Sequence, residues 1–331
     1  MYIKINILLN SSHLEIYYRS NDWNLGIIKM TKENIKIFIG CDPNNCDLEQ
    51  LMVLEYSIRK HTQHNIEIHW MQLSHDITSP WYSDQSTDQG WHTEKWATPF
   101  SGFRWAIPEL CNFKGRAIYM DADIIVLCDI AELWSHAINN PEAIVIAKGG
   151  KSSARLCTCV WDCEKAKSFL PPLEEIRHNP DSHKNLMRLL KEKPQLIEPY
   201  QDSYNNIDGE GLTINEIKIL HYSDMGTQFS HKYSIPRLTK TNQKHWFDGT
   251  IMPHPRQDLA ELFDTYYQEA LDLGYKPENY LIEPFGAFSK ATQIAYQGNK
   301  VTRPNQETNW LNKQIHKIKA KFKKSTFTLD G

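Results

Sequence analysis

The stretch Ala117-Ile-Tyr-Met-Asp-Ala-Asp-Ile-Ile-Val-Leu127 sets two carboxylates, Asp121 and Asp123, inside a run of apolar and β-branched residues. Such a run reads as a buried strand. A carboxylate inside it costs several kcal/mol unless a cation or strong donors meet it. Residues i and i+2 of a strand face the same way, so the pair is expected to converge on one hard divalent ion where the strand ends. That chemistry is Mn²⁺ or Mg²⁺ held by Asp-x-Asp against a diphosphate. The competing reading is a strand-end turn with solvated carboxylates, which the apolar flanks disfavour.

The surrounding elements follow from periodicity. Ile35–Ile39 alternates as a strand and runs into Gly40-Cys41-Asp42-Pro43, a loop signal. Leu48–His61 has helical spacing, and Ile66–Leu73 is a second strand, so the unit predicts parallel strands with a right-handed crossover. Residues 74–98 read as a long functional loop, whose Trp-rich part at 81–96 is positioned to close over a ligand. Ser101–Cys111 is a predicted helix carrying Arg104, and Asp129–His136 is another, capped by Asp129. Ala143–Ala147 is a short buried strand. Later come helices at Cys163–Phe169, His183–Lys191 and Asp258–Leu273 and a strand at Ile217–His221.

Strand and helix alternate early and mix later, which predicts an α/β fold: a mixed, mainly parallel sheet flanked by helices, with a less regular C-terminal half. Ligands of such sheets sit at the carboxyl ends of strands. Gly40–Asp42 and Asp121–Asp123 both fall there, so they are expected to line one cleft.

The chain has 331 residues, 40% hydrophobic and 23% charged, with a net charge of -3. That balance is ordinary for a globular protein and gives no reason to expect a nucleic-acid partner. No apolar run is long enough to span a bilayer. The seven cysteines are irregularly spaced and, without an export signal, read as reduced thiols. A cytoplasmic location follows as an expectation, with peripheral contact to the inner face of a membrane. Residues 1–34 read as an N-terminal extension, 35–300 as the main domain and 301–331 as a tail. In that tail Trp310, Leu311, Ile315, Ile318 and Phe322 form a helical stripe among Lys313, Lys317, Lys319, Lys321, Lys323 and Lys324. It suits either an anionic membrane surface or docking on the domain. Cys157, Cys159 and Cys163, with His178 and His183 downstream, form an irregular zinc-like set that reads better as buried small side chains.

Three segments in order, KIFIGCDPNN, FSGFRWAIPELCNFKGRAIYMDADIIVLCDIAELW and IKILHYSDMGTQ, resemble nucleotide-diphospho-sugar glycosyltransferases of the GT-A fold. The similarity is greatest to glycosyltransferase family 8, over about residues 35–150 and again near 217–228. The resemblance implies a UDP-sugar donor, retention at the anomeric carbon, and a glycan, lipid-linked or protein acceptor. It implies that Asp42, beside Gly40, contacts the nucleotide base, that Arg104 faces the donor diphosphate, and that Asp121, Asp123 and His221 hold the metal. Asp121 would also reach the ribose or sugar. A mixed oxygen and imidazole set favours Mn²⁺ over Mg²⁺. Family members often carry a Lys after that histidine to clasp the diphosphate. This chain has none there, and Thr227, Gln228, His231 and Lys232 are the candidates to replace it.

Each assignment has a structural rival. Without the resemblance His221 reads better as a strand-end histidine; Arg104 has a rival reading as a partner of Glu109 or Asp129, and Asp42 as a turn residue before Pro43. Two whole-chain rivals are a haloacid-dehalogenase-like phosphatase, with Asp121 as nucleophile, and a sugar-nucleotide-binding protein without catalysis.

Overall fold

The computed structural model describes residues 34–287 except 85, 150–154 and 248, together with the backbone of three N-terminal strands. These are β1 (Asn6–Asn10), β2 (His13–Arg19) and β3 (Leu25–Thr31), an antiparallel sheet in chain order. The basic tail expected over 301–331 lies outside the described residues.

The chain continues through β4 (Ile35–Gly40), β5 (Ile66–Met71), a small ribbon of β6 (Ser83–Asp84) and β7 (Gln89–Gly90), β8 (Arg116–Asp121) and β9 (Ile124–Val126). Then follow β10 (Val145–Lys148), β11 (Arg155–Asp162), β12 (Ile197–Pro199), β13 (Asn206–Ile207) and β14 (Ile219–His221). Six of them form the central sheet, in the order β12-β10-β11-β8-β4-β5. β4 runs parallel to β5 and β8, β10 runs parallel to β12, and β11 is antiparallel to both its neighbours. The sheet is therefore mixed and mainly parallel, as expected. A second, three-stranded sheet has the order β13-β14-β9.

Alternation along the central strands divides the interior between the two faces of the sheet. Ile35, Ile37, Ile39, Ile118 and Met120 pack with Leu51, Leu54 and Ile58 of the helix Leu48–His61. Phe38, Ala117 and Tyr119 point the other way, into a cluster with Phe103, Trp105 and Trp161. Residues 117–120 are wholly inaccessible, which is why this strand reads as a nearly unbroken apolar run. The helix Leu48–His61 contains no Gly or Pro, opens with Glu49 and closes with Arg59, Lys60 and His61, charges that complement its dipole.

Three expectations need correction. First, the Asp121–Asp123 stretch is not one strand. β8 ends at Asp121, the chain bends at Ala122 and Asp123, and β9 joins the second sheet. The i, i+2 rule therefore does not govern the two carboxylates. Second, Ser101–Cys111 is not one helix. It divides into a 3₁₀ turn, Phe103–Trp105, and a short α-helix, Ile107–Leu110, with Pro108 in its first turn, where a missing N–H is harmless. Third, the tryptophans of the long loop turn inward. Trp81, Trp91 and Trp96 are buried around Phe103, so they are interior packing and not the face of a lid.

Candidate functional site

Two parallel strand ends define the site's floor. Gly40, the last residue of β4, is the register partner of Asp121, the last of β8. The two loops named from sequence thus start side by side. Gly40 has no room for a side chain: a Cβ there would stand 2.8 Å from the Phe100 ring and 3.0 Å from the Tyr119 hydroxyl.

Asp121 is held from behind. The Tyr119 hydroxyl donates a short hydrogen bond to its Oδ1, and Arg104 approaches the same oxygen at 3.3 Å. Burial pushes the Tyr119 hydroxyl well above its ordinary pKa, so it donates as the neutral phenol. Arg104 is itself buried. Its Nε donates to Ser101 O at 2.8 Å, Nη1 to Leu156 O at 2.8 Å, and Nη2 to Tyr119 at 3.0 Å and to Asp121. Burial opposes its charge, but Tyr119 and Asp121 outweigh that and raise its pKa further. Four of the five N–H groups of a guanidinium are thereby engaged, so Arg104 first of all positions Asp121. The partners considered from sequence are otherwise occupied: Glu109 accepts from Leu173 N, and Asp129 caps Ala131 N.

Asp123 meets a different set. His221, at the end of β14, places Nε2 3.1 Å from Asp123 Oδ1, and Gln228 donates to Asp123 Oδ2 at 3.2 Å. Gln50, from the helix Leu48–His61, holds Gln228 Oε1 at 2.7 Å. Although burial works against an imidazolium, Asp123 and then Cys157 hold the His221 pKa well above its usual value. Of the four residues considered in place of the missing Lys, Gln228 reaches the site. Lys232 is exposed and paired with Asp264 at 2.6 Å, His231 is buried against the His245 ring, and Thr227 contacts Asp224 O.

Asp42 belongs to the same edge, but its carboxylate accepts the N–H groups of Asn44 and Cys46, an Asx-type turn. Burial, reinforced by Asp47, pushes its pKa up to about 7.

The donors suit a divalent cation. Oδ1 of Asp123 and Nε2 of His221 stand 3.1 Å apart, close to the edge of a six-coordinate sphere with bonds of about 2.1 Å. His221 Nδ1 is buried without a hydrogen-bond partner. Among the described residues, one group of three metal-capable side chains has its ligand atoms within 4.8 Å of one another: Asp121, Cys157 and His221. Asp123, expected in the set, is not in this group and reaches it only through His221; Cys159, Cys163, His178 and His183 do not join it either. His183 instead accepts from Trp105 Nε1 at 2.9 Å, and burial lowers its pKa to about 4.

Sequence reasoning missed Tyr119 and Gln50, and it set Cys157 aside as a buried small side chain, whereas that residue is half-buried beside Asp121 and His221. Tyr119 was within reach, because it shares a strand face with Asp121. Gln50 and Cys157 come from other elements, and their approach depends on packing and register that one sequence does not reveal.

No protein-family model matches the chain, and no curated protein does. Among solved structures, the chain is similar to the glycosyltransferase GlyE of Streptococcus pneumoniae TIGR4, at TM-score 0.45 and 14% identity over 73% of this chain. It spans 63% of the length of that protein. It is also similar to galactosyltransferase LgtC in complex with donor and acceptor sugar analogs, at TM-score 0.45 and 11% identity, covering 74% of this chain and 99% of that one. Mouse xyloside xylosyltransferase 1 aligns at TM-score 0.41 and 11% identity, covering 58% and 98%.

Proposed function

We propose that the chain is a glycosyltransferase that moves a sugar from a nucleotide donor, a UDP-hexose, to an acceptor hydroxyl with the help of a divalent ion, Mn²⁺ or Mg²⁺. One observation carries the reading. Asp121 ends a parallel strand of the central sheet with Arg104 clamped behind it, His221 ends a strand of the second sheet within 4.8 Å of it, and Asp123, in the bend between them, stands 3.1 Å from His221. This is a place to hold a cation against a diphosphate.

When bound, the ion neutralises charge on the departing diphosphate. Asp123, Asp121 and His221 would hold it. Arg104 keeps Asp121 oriented and lends fixed positive charge close to where the leaving group becomes more anionic. Gln228 supplies a neutral amide in the region where a Lys was expected, so more of the donor's charge falls to the ion. The bond from the anomeric carbon to the diphosphate oxygen breaks, the acceptor oxygen bonds to that carbon, and the acceptor proton passes to the leaving diphosphate. This same-face route accounts for retention without a protein nucleophile. The acceptor is a glycan, a lipid-linked sugar or a protein, and the site acts in cell-surface glycan synthesis in the cytoplasm.

A thermal-shift panel of UDP- and GDP-sugars with Mn²⁺ tests the reading, because a ligand that binds the folded state alone stabilises it. A selective shift with one UDP-sugar, followed by its metal-dependent turnover, is expected. No shift with any nucleotide sugar would overturn it, and phosphate release from generic phosphoesters would favour the phosphatase reading.

A further inference from the structure

Two strand registers bring a sulfur into the metal site. In the antiparallel β8–β11 ladder, Thr158 faces Met120 and Cys159 faces Tyr119. One step further, the same register sets Cys157 opposite Asp121, where facing residues have Cβ atoms about 4.5–5.5 Å apart. From the second sheet, β14 pairs His221 with Ile124, the residue after Asp123. The outcome is that ligand atoms of Asp121, Cys157 and His221 all lie within 4.8 Å of one another.

We propose that Cys157 is a metal ligand of this site, so that sulfur joins oxygen and nitrogen around the ion and the site prefers thiophilic cations such as Zn²⁺, Co²⁺ or Cd²⁺ to Mg²⁺. The proposal rests on the metal-assisted reading above and changes which ion that reading takes. His221 is 3% exposed, and its Nε2, which already faces Asp123 at 3.1 Å, is the nitrogen a cation at this strand end would take. Cys157 is half-buried, whereas Cys159, two residues on, is fully buried. Cys159 is opposite Tyr119, and Cys157 is the cysteine at the acidic strand end. A thiolate is the ligand, so binding releases the Cys157 proton to solvent, and soft donors select soft ions.

The test uses the full chain, stripped of metal with a chelator and titrated with Co²⁺, with and without UDP. A sulfur-to-cobalt charge-transfer band in the near ultraviolet is expected for the wild type. It should vanish in Cys157→Ser and Cys157→Ala and persist in Cys128→Ser, with thermal melts confirming that each variant folds. Cd²⁺ affinity should fall roughly tenfold or more in Cys157→Ser while Mg²⁺ affinity stays within about twofold. Calorimetric Co²⁺ binding without the band would overturn the role of Cys157 and leave the metal site standing. No divalent binding with or without UDP would overturn both.

Discussion

Asp123 and His221 join the two sheets: the carboxylate lies in the bend after β8, the imidazole ends β14, and 3.1 Å separates their Oδ1 and Nε2 atoms. Removing either should loosen the proposed cation site and a structural joint together, and the two effects are separable.

For Asp123→Ala we expect metal-dependent transfer to fall by at least roughly 100-fold, with UDP binding weakened in Mn²⁺ and little changed in chelator. Calorimetry with and without the ion measures this. UDP affinity that ignores Mn²⁺ in the wild type would sink the assignment.

His221→Ala should raise the apparent metal constant roughly tenfold or more and leave the acceptor KM nearly unchanged. A variant that alters the acceptor KM alone would show that the imidazole serves the acceptor side.

Arg104→Lys keeps the charge but loses the planar fork that engages Ser101, Leu156, Tyr119 and Asp121. A loss of about 1–3 kcal/mol in stability is expected, together with a lower kcat, because Asp121 loses its support. Denaturant melts and steady-state kinetics on one preparation check both. Wild-type stability and rate would mean that charge alone is needed.

Asp42 gives a pH test. Its pKa rises from 3.8 to about 7 on folding, mainly through burial. The folded state therefore holds this proton more tightly than the unfolded chain. The contribution to stability is fully present below the unfolded value, and it is lost as pH climbs toward about 7. Asp42→Asn, which keeps an acceptor for Asn44 and Cys46, should be more stable than wild type by about 1–3 kcal/mol near pH 8, and the gap should close below about pH 4. A gap that widens toward acid would contradict the buried, proton-holding carboxylate.

Much of the scaffold was legible because it obeys local rules. The helix Leu48–His61 has the bounds that its spacing implies, Asp129 caps as expected, and the parallel pairing of β4 with β5 follows from the helix between them. The site was legible as a set of side chains but not as an arrangement. Asp121 and Asp123 look like strand neighbours until β8 ends at Asp121 and the chain crosses to β9 in the second sheet, an event set by the partner β14 almost a hundred residues later. β11 was not recognised at all, since Arg155–Asp162 reads as a cysteine cluster until it is paired with β8. Burial of the loop tryptophans also depended on a distant partner, Phe103.

That last contact carries a further meaning. Trp96 lies against the bare backbone of Gly102, where a Cβ would come within 2.4 Å of the indole, and Arg104 follows two residues later. Trp81, Trp91 and Trp96 crowd the adjoining Phe103 with ring centres 4.6, 4.9 and 5.7 Å away. Arg104 thus follows directly on a packed cluster of indoles. A displacement of Arg104 that is transmitted to Phe103 would change the packing of these indoles, so their ultraviolet signal is the place to look for a label-free response to ligand at Asp121.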